Sequence, residues 1–311
     1  MKLKDSIFLK ESNQGKLTWG WLSLLLPIIL TVIGSVIYLL LSIIVSLIII
    51  VIYKLPSSNI NFESTLSALD LILTTAPMIL VYFLYVKLIE KRPIWSMGFK
   101  LKKGWLSKYI KGFIIGGLLI GLIAILVLLT GSASISYVGV SVGQIIPFIL
   151  VIIGWIIQGA SEEIMMRGHM LPVLSIKWGA LIAIVISSLY FSILHIFNSG
   201  INLISLVNLS LAGVLFAVYV FYDDSLWGAC ALHSSWNFVQ GNIVGSKVSG
   251  LDMNTGNIFL MTPKGNELLS GGAFGLEGSI ITTIVLILVI IVISILIKNK
   301  KYKNESLSSN I

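Results

Sequence analysis

Charge is scarce in this sequence. Only 11% of its 311 residues are Asp, Glu, Lys or Arg, 57% are hydrophobic, and the mean hydropathy is +1.01. Soluble domains carry roughly 25% charged residues, so a polytopic membrane protein is expected. Cysteine is almost absent: Cys230 stands alone, which excludes an internal disulfide and every cysteine-based zinc spacing. Arginine occurs twice, at Arg92 and Arg167, against 19 lysines. There is no glycine-rich phosphate loop, no His-Glu-x-x-His zinc helix and no serine in a nucleophile elbow. Internal repeats and paired broken helices are also missing, which argues against a secondary transporter. The net charge of +8 would suggest nucleic acid in a soluble chain. Here it fits basic loops beside anionic lipid, and no nucleic-acid partner is expected. The Lys- and Ile-rich composition is that of an AT-rich bacterial genome, so the expected location is the cell membrane, multi-pass.

What is present is a series of long apolar runs. A span needs about 20 residues. The run at 19–53 reads as one long, tilted helix with Trp19, Trp21 and Pro27 at the interface. The polar segment before it does not resemble a signal peptide, and no cleavage is expected. Further spans are read at 66–86, 113–130, 145–167, 178–197, 201–222, 226–244 and 280–297, eight in all. A polar loop occupies 54–63. The basic segment 87–111 contains Trp95-Ser96-Met97-Gly98-Phe99, which reads as an amphipathic piece on the membrane surface. A Gly-rich polar loop fills 245–278, and the basic tail 298–311 is expected to be disordered. The expected fold is all-α. It divides into N-terminal helices with the basic loop (1–144), a core (145–244) and a C-terminal part (245–311).

Alternate loops differ sharply in charge. One side holds 18 of the 21 basic residues, and only Lys54, Lys247 and Lys264 fall on the other. Positive residues stay on the cytoplasmic side, so both termini are expected there.

The chain is organised around Ser161-Glu162-Glu163-Ile164-Met165-Met166-Arg167-Gly168. A charge inside a bilayer costs roughly 3 kcal/mol on insertion scales unless it is paired or faces a cavity. Glu163 and Arg167 are four apart, share a helix face and can pair. Glu162 points about 100° away, on a face with Trp155 and Gln158. Arg167 would hold Glu163 charged, leaving Glu162 free to act as a base on water. The blander reading is an ion pair that only pins two helices together. His195 closes the fifth span, and His233 and Asn237 share a face of the seventh. Together these side chains supply a base, a polariser and donors, the set needed for water attack on an acyl group. No chemical role is assigned to His169, placed near the interface, or to Asp70, placed near the outer end of the second span.

In order, Glu162-Glu163-x-x-x-Arg167-Gly168, Phe191-x-x-x-His195 and His233-x-x-x-Asn237 resemble the three motifs of the CPBP family. This family comprises CAAX prenyl endopeptidases and bacteriocin-processing or abortive-infection intramembrane proteases. The resemblance covers 147–244, a third of the chain, with no departure in the motif residues. It implies an intramembrane endopeptidase acting on a lipidated protein, a peptide precursor or another membrane protein. Glu162 would activate water, His195 would help hold it, His233 and Asn237 would stabilise the oxyanion, and Glu163 and Arg167 would orient the site. The family is commonly labelled metalloprotease. Cofactors stay open between none and zinc, with Glu162, His195 and His233 as a two-His, one-carboxylate donor set. A non-catalytic immunity or scaffold protein, and less so a transporter, are the alternatives.

One piece of arithmetic resists this assignment. At 1.5 Å per residue, Glu162 lies about 25 Å down the fourth span and His195 about 25 Å up the fifth. In a ~30 Å core they would sit roughly 20 Å apart. Contact requires the fourth helix to start nearer Leu150 and project past Leu171, with the fifth starting nearer Ile182.

Overall fold

The structure, a computed structural model, describes residues 6–53 and 61–308. Most of the 54–63 loop, Lys54 with it, and the extreme ends of both terminal segments lie outside the described residues.

The chain is an all-α polytopic membrane protein. Six helices are long and apolar enough to cross a bilayer. These are α2 (Gly20–Tyr53), α3 (Phe62–Leu88), α4 (Trp105–Leu129), the continuous run that opens with α5 (Ile145–Glu163), α8 (Leu203–Asp223) and α11 (Ile280–Ser308). Leucines and isoleucines along their outer faces are exposed, Leu118, Ile125 and Ile287 among them, as lipid contact requires. Two of the eight expected spans are shorter. α7 (Ala180–Ile193) has 14 residues, and α9 (Trp227–Phe238) has 12 before it continues as a π-helical turn, Val239–Val244.

Local sequence sets several helix ends. Asn61 caps α3 by accepting from the Ser64 N–H at 3.0 Å, and Asn202 caps α8 by accepting from the Ser205 N–H at 2.9 Å. Gly179, at φ +96°, ends one helix and lets the next reverse at once.

The core is a stack of close helix pairs: α4 on α9, α5 on both α3 and α9, and α8 between α7 and α11. Small residues permit the approach. A Cβ placed on Gly116 of α4 would lie 2.1 Å from the Leu232 carbonyl oxygen of α9. With lipid as apolar as the helices, such backbone proximity and packing, more than burial, hold membrane helices together.

Several expectations are corrected. The fourth helix does not stop near Arg167. It runs on through a π-helical turn (Ile164–Met170) into α6 (Leu171–Trp178), and α7 starts two residues later. Its start stays at Ile145 rather than nearer Leu150, while its far end runs past Leu171 to Trp178. The vertical gap closes because a helix extended by 15 residues is matched by a partner rising from the same depth. α7 ends at Ile193, so His195 sits in the turn that follows it. The Trp95–Phe99 piece does not lie on the surface: it is a 3-10 turn with Ser96 and Met97 buried. Its Gly98 carbonyl accepts from the Leu226 N–H at 2.9 Å. The N-terminal segment contains α1 (Ile7–Ser12), whose Phe8 and Leu9 are buried against this region. The tail is helical to Ser308. The 245–278 loop is built rather than open. Its β2 (Phe259–Pro263) pairs antiparallel with β1 (Ala133–Tyr137), from Ala133 opposite Pro263 to Tyr137 opposite Phe259. A short helix, α10 (Glu267–Ser270), follows.

His169, given no chemical role, has a structural one. It is fully buried, with its Nε2 3.2 Å from Glu90 Oε1. Glu90 also accepts from Thr18 Oγ1 at 2.6 Å and from Arg92 Nε at 2.6 Å, and Arg92 reaches Ser96 Oγ at 2.9 Å. Burial pushes the Glu90 carboxyl up, but hydrogen bonding and charge from His169, with Arg92 and Thr18 added, hold it well below the usual carboxylate range. This network staples the N-terminal segment and the 89–98 loop to the π-helical turn. Asp70 accepts from Tyr38 Oη at 2.7 Å, tying α3 to α2.

Candidate active site

α5 and its π-helical continuation carry the two carboxylates, α9 brings His233 and Asn237, and the turn after α7 brings His195. α5 and α9 cross closely because Gly159 faces Ser234: a Cβ there would lie 2.8 Å from the Ser234 nitrogen.

Glu163 and Arg167 are both fully buried and paired, Nη1 to Oε1 at 3.0 Å. The same Oε1 meets His233 Nδ1 at 3.0 Å. Arg167 Nη2 donates to the Gly213 carbonyl of α8 at 3.0 Å. Its guanidinium lies over the rings of Phe191 and Phe216, 4.8 and 5.2 Å from their centroids. Weak hydration makes arginine the cation suited to such a site. Phe216 also stacks on His233 at 4.7 Å with 14° between the planes. The imidazole is therefore fixed in plane by Phe216 and in rotation by Glu163, and its Nε2 is directed 3.7 Å from Glu162 Oε2.

Glu162 faces the other way from Glu163. Its Oε1 accepts from Gln158 Nε2 at 2.7 Å, one helical turn earlier. Gln158 Oε1 in turn accepts from Asn237 Nδ2 at 2.8 Å. A carboxylate only accepts, so it dictates the orientation of both amides. Glu162 Oε2 has no hydrogen-bond partner within the chain. His195 donates Nδ1–H to the Phe191 carbonyl at 2.8 Å, which leaves Nε2 as its free nitrogen.

Glu162, His195 and Asn237 line one cavity of about 240 Å³ together with Gln158, Trp155 and Phe191. His233 lies behind Glu162, joined to it by the 3.7 Å approach. No direct hydrogen bond joins Glu162 to His195; they meet across the cavity. Glu163 and Arg167 stand behind the wall. The cavity is part polar and part apolar, lined from α3, α5, α7 and α9 by Leu71, Trp155, Phe191 and Asn237 among others. Its lining offers the Glu162 carboxylate, the His195 imidazole and the Asn237 amide, with His233 Nε2 3.7 Å from Glu162 Oε2 behind it.

Gln158 is the residue the sequence did not single out for a role. Its i,i+4 spacing to Glu162 was the available signal, but a glutamine in a span has many alternative partners. The roof of the cavity was not legible either. It is formed by Val248, Ser249, Leu251 and Met253 of the Gly-rich loop.

The donor set for a metal is chemically suitable, since Glu162 Oε2 and two Nε2 atoms are free. Among the described residues, however, no three His, Cys, Asp or Glu side chains converge closely enough to hold an ion.

No curated protein matches the chain. Residues 144–239 match the family model described as Type II CAAX prenyl endopeptidase Rce1-like. That stretch contains all three motifs and the close crossing of α5 with α9 at Gly159. Residues 144–239 are therefore similar to the Rce1-like type II CAAX prenyl endopeptidases, which supports the resemblance to the CPBP family of CAAX-type intramembrane proteases.

Proposed function

We propose that this protein hydrolyses a peptide bond inside the membrane, with Glu162 as the general base. The observation that carries the reading is Oε2 of Glu162: buried and without a hydrogen-bond partner in the chain, on a residue that lines a cavity with His195 and Asn237. The structural ion pair is complete with Glu163 and Arg167 alone, so Glu162 is not needed for it.

In this mechanism a water lies between Glu162 Oε2 and His195 Nε2. Glu162 removes one proton as the water oxygen bonds to the scissile carbonyl carbon. The carbonyl oxygen becomes an oxyanion, stabilised by the second N–H of Asn237 and by the Nε2–H of His233 as an imidazolium, whose Nδ1–H stays on Glu163. Collapse re-forms the carbonyl and breaks the C–N bond, and the proton held by Glu162 passes to the leaving amine. Glu163 and Arg167 act through His233, which they hold in place. General base catalysis and oxyanion donors each contribute about 10²-fold or more. No step is routed through a metal, because the residues as arranged do not converge on one.

The test is cleavage in membranes by wild type, Glu162→Ala and His195→Ala, against prenylated CAAX peptides and co-expressed peptide precursors, with and without a zinc chelator. The expected result is processing that both variants lose and that survives the chelator. Loss in the chelator would move the chemistry to a metal. Equal processing by all three proteins would remove these residues from the reaction and favour a scaffold or immunity role.

A further inference from the structure

The catalytic cavity has a second, larger neighbour. A polar vestibule of about 880 Å³ is lined by the first turns of α3 and α5, the end of the α9 run, and the 245–275 loop. Asn61, Gln144, Gly245, Asn254, Thr262 and Lys264 represent its walls. Met253 lines both spaces, so one short segment, 246–254, is the partition between them.

That partition is firmly placed. Ser249, at φ +48°, donates its N–H and hydroxyl to Glu277 Oε2 at 2.6 and 2.9 Å. Its carbonyl accepts from Asn198 Nδ2 at 2.8 Å. Asn198 belongs to the turn that holds His195, its N–H bonded to the His195 carbonyl at 3.0 Å. Gly250 packs so tightly on this turn that a Cβ would lie 2.0 Å from the Ser199 carbonyl oxygen. The reason is length. At 14 residues α7 rises about 21 Å, short of a ~30 Å hydrocarbon core. The loop dips in to fill the space above it. Non-helical backbone is tolerated at such depth where protein buries it or a cavity receives it.

The vestibule lies at one end of the bundle and the basic residues lie at the other. Lys87 ends α3, Lys108 and Lys111 sit in the first turns of α4, and Lys177 ends α6. Lys100 and Lys102 pair with Glu11 in the same region. At the vestibule end the described basic residues are Lys247 and Lys264, set against Glu63, Asp252 and Glu267. Lysine-rich ends stay in the cytoplasm, so the vestibule faces the opposite side.

We propose that the substrate of this site is a polypeptide presented on the extracytoplasmic side. Its hydrophilic segment lies extended in the vestibule, and an apolar residue beside the scissile bond passes the 246–254 partition into the inner cavity. The inference rests on the protease reading above. The chemistry matches at both levels. The vestibule is lined by glycine backbone, asparagines and charges of both signs, which suit main-chain hydrogen bonding to a polar strand. The inner cavity adds Leu71, Trp155, Met165 and Leu194, and at about 240 Å³ it holds a few side chains.

The experiment uses the full chain in cells, in a Cys230→Ala background, with single cysteines placed at the vestibule (Asn254→Cys) or at the basic end (Lys103→Cys). Both native residues are exposed. The probe is a charged, membrane-impermeant maleimide. Intact cells are expected to label Asn254→Cys and to leave Lys103→Cys unlabelled until the membrane is opened. The reverse pattern overturns the proposal. Cleavage of whichever panel substrate the wild type processes is then measured after labelling. A loss of at least 10-fold is expected for labelled Asn254→Cys, with Lys103→Cys unchanged when labelled in opened membranes. Full activity with the vestibule blocked also overturns the proposal. If no substrate is cleaved by any form, the protease reading fails, whereas the labelling pattern still decides the side independently.

Discussion

The side-chain amide of Gln158 donates to Glu162 Oε1 over 2.7 Å and turns its own oxygen to Asn237, so the proposed base and a proposed oxyanion donor sit on one chain of hydrogen bonds. Gln158 therefore selects which oxygen of Glu162 remains free. A hydrogen bond to a charged group contributes about 1.5–3 kcal/mol, or roughly 10- to 100-fold if it is used in the transition state. Gln158→Leu is expected to lower kcat by about that factor with little change in KM. Gln158→Glu should be worse, because it sets a second carboxylate against Glu162. Partial recovery in Gln158→His, which restores a donor, would separate positioning from packing. An unchanged kcat in Gln158→Leu would remove Gln158 from the site.

Arg167 and Glu163 have no access to water, and breaking such a pair by removing one partner leaves a buried, uncompensated charge. Arg167→Met alone is expected to destabilise the protein by about 3–5 kcal/mol. The double change Arg167→Met with Glu163→Met should recover most of that stability. It should not recover activity, because His233 then loses its Nδ1 partner. Thermal unfolding in detergent and cleavage assays on the same preparations would show the split. Activity restored along with stability would show that Glu163 does not position the imidazole.

Glu90 gives a pH dependence whose sign follows from its depressed carboxyl. Its folded value lies below the ordinary 4.5, so its contribution to stability is complete above that value and fades as pH falls towards the folded value. Glu90→Gln should therefore melt below wild type at pH 7, and the difference in Tm should shrink progressively below about pH 4.5. A constant difference down to pH 3 would show that Glu90 stabilises through packing alone.

Helix α4 offers a paired test of close packing. Gly116→Ala places a methyl 2.1 Å from the Leu232 carbonyl oxygen, where backbone cannot yield, whereas Gly121→Ala meets nothing within 4 Å. The first is expected to lower folded yield and Tm markedly by separating α4 from α9. The second is expected to be neutral or slightly stabilising through helix propensity, by up to about 1 kcal/mol. Equal tolerance at both sites would show that the α4–α9 contact is slack.

Hydropathy carried the architecture, because a bilayer forces each spanning segment to satisfy its own backbone and to be apolar for about 20 residues. That is why α2, α3, α4, α8 and α11 fall close to their expected places. The motif residues were legible for a related reason: ionisable side chains in such runs are too costly to be incidental. Spans with mixed composition were read less well. α6 fell between two expected spans because Pro172 and Lys177 interrupt its apolar pattern, and α7 was drawn too long because the chain stays apolar past Ile193.

By itself, then, the sequence determined that this is a helical membrane protein with an acidic pair, two histidines and an asparagine on separate spans. Spacing along one helix already paired Glu163 with Arg167 and set Glu162 on the face of Gln158. Only the tertiary structure brought His233 to Glu163, Asn237 to Gln158 and His195 to the cavity that Glu162 lines. These partners come from other helices, and helical spacing orders only residues on the same helix. The roof of the cavity was beyond reach for the same reason. A glycine-rich polar loop has no period to read, and Ser249 finds its place only because Glu277 and Asn198 reach it from distant parts of the chain.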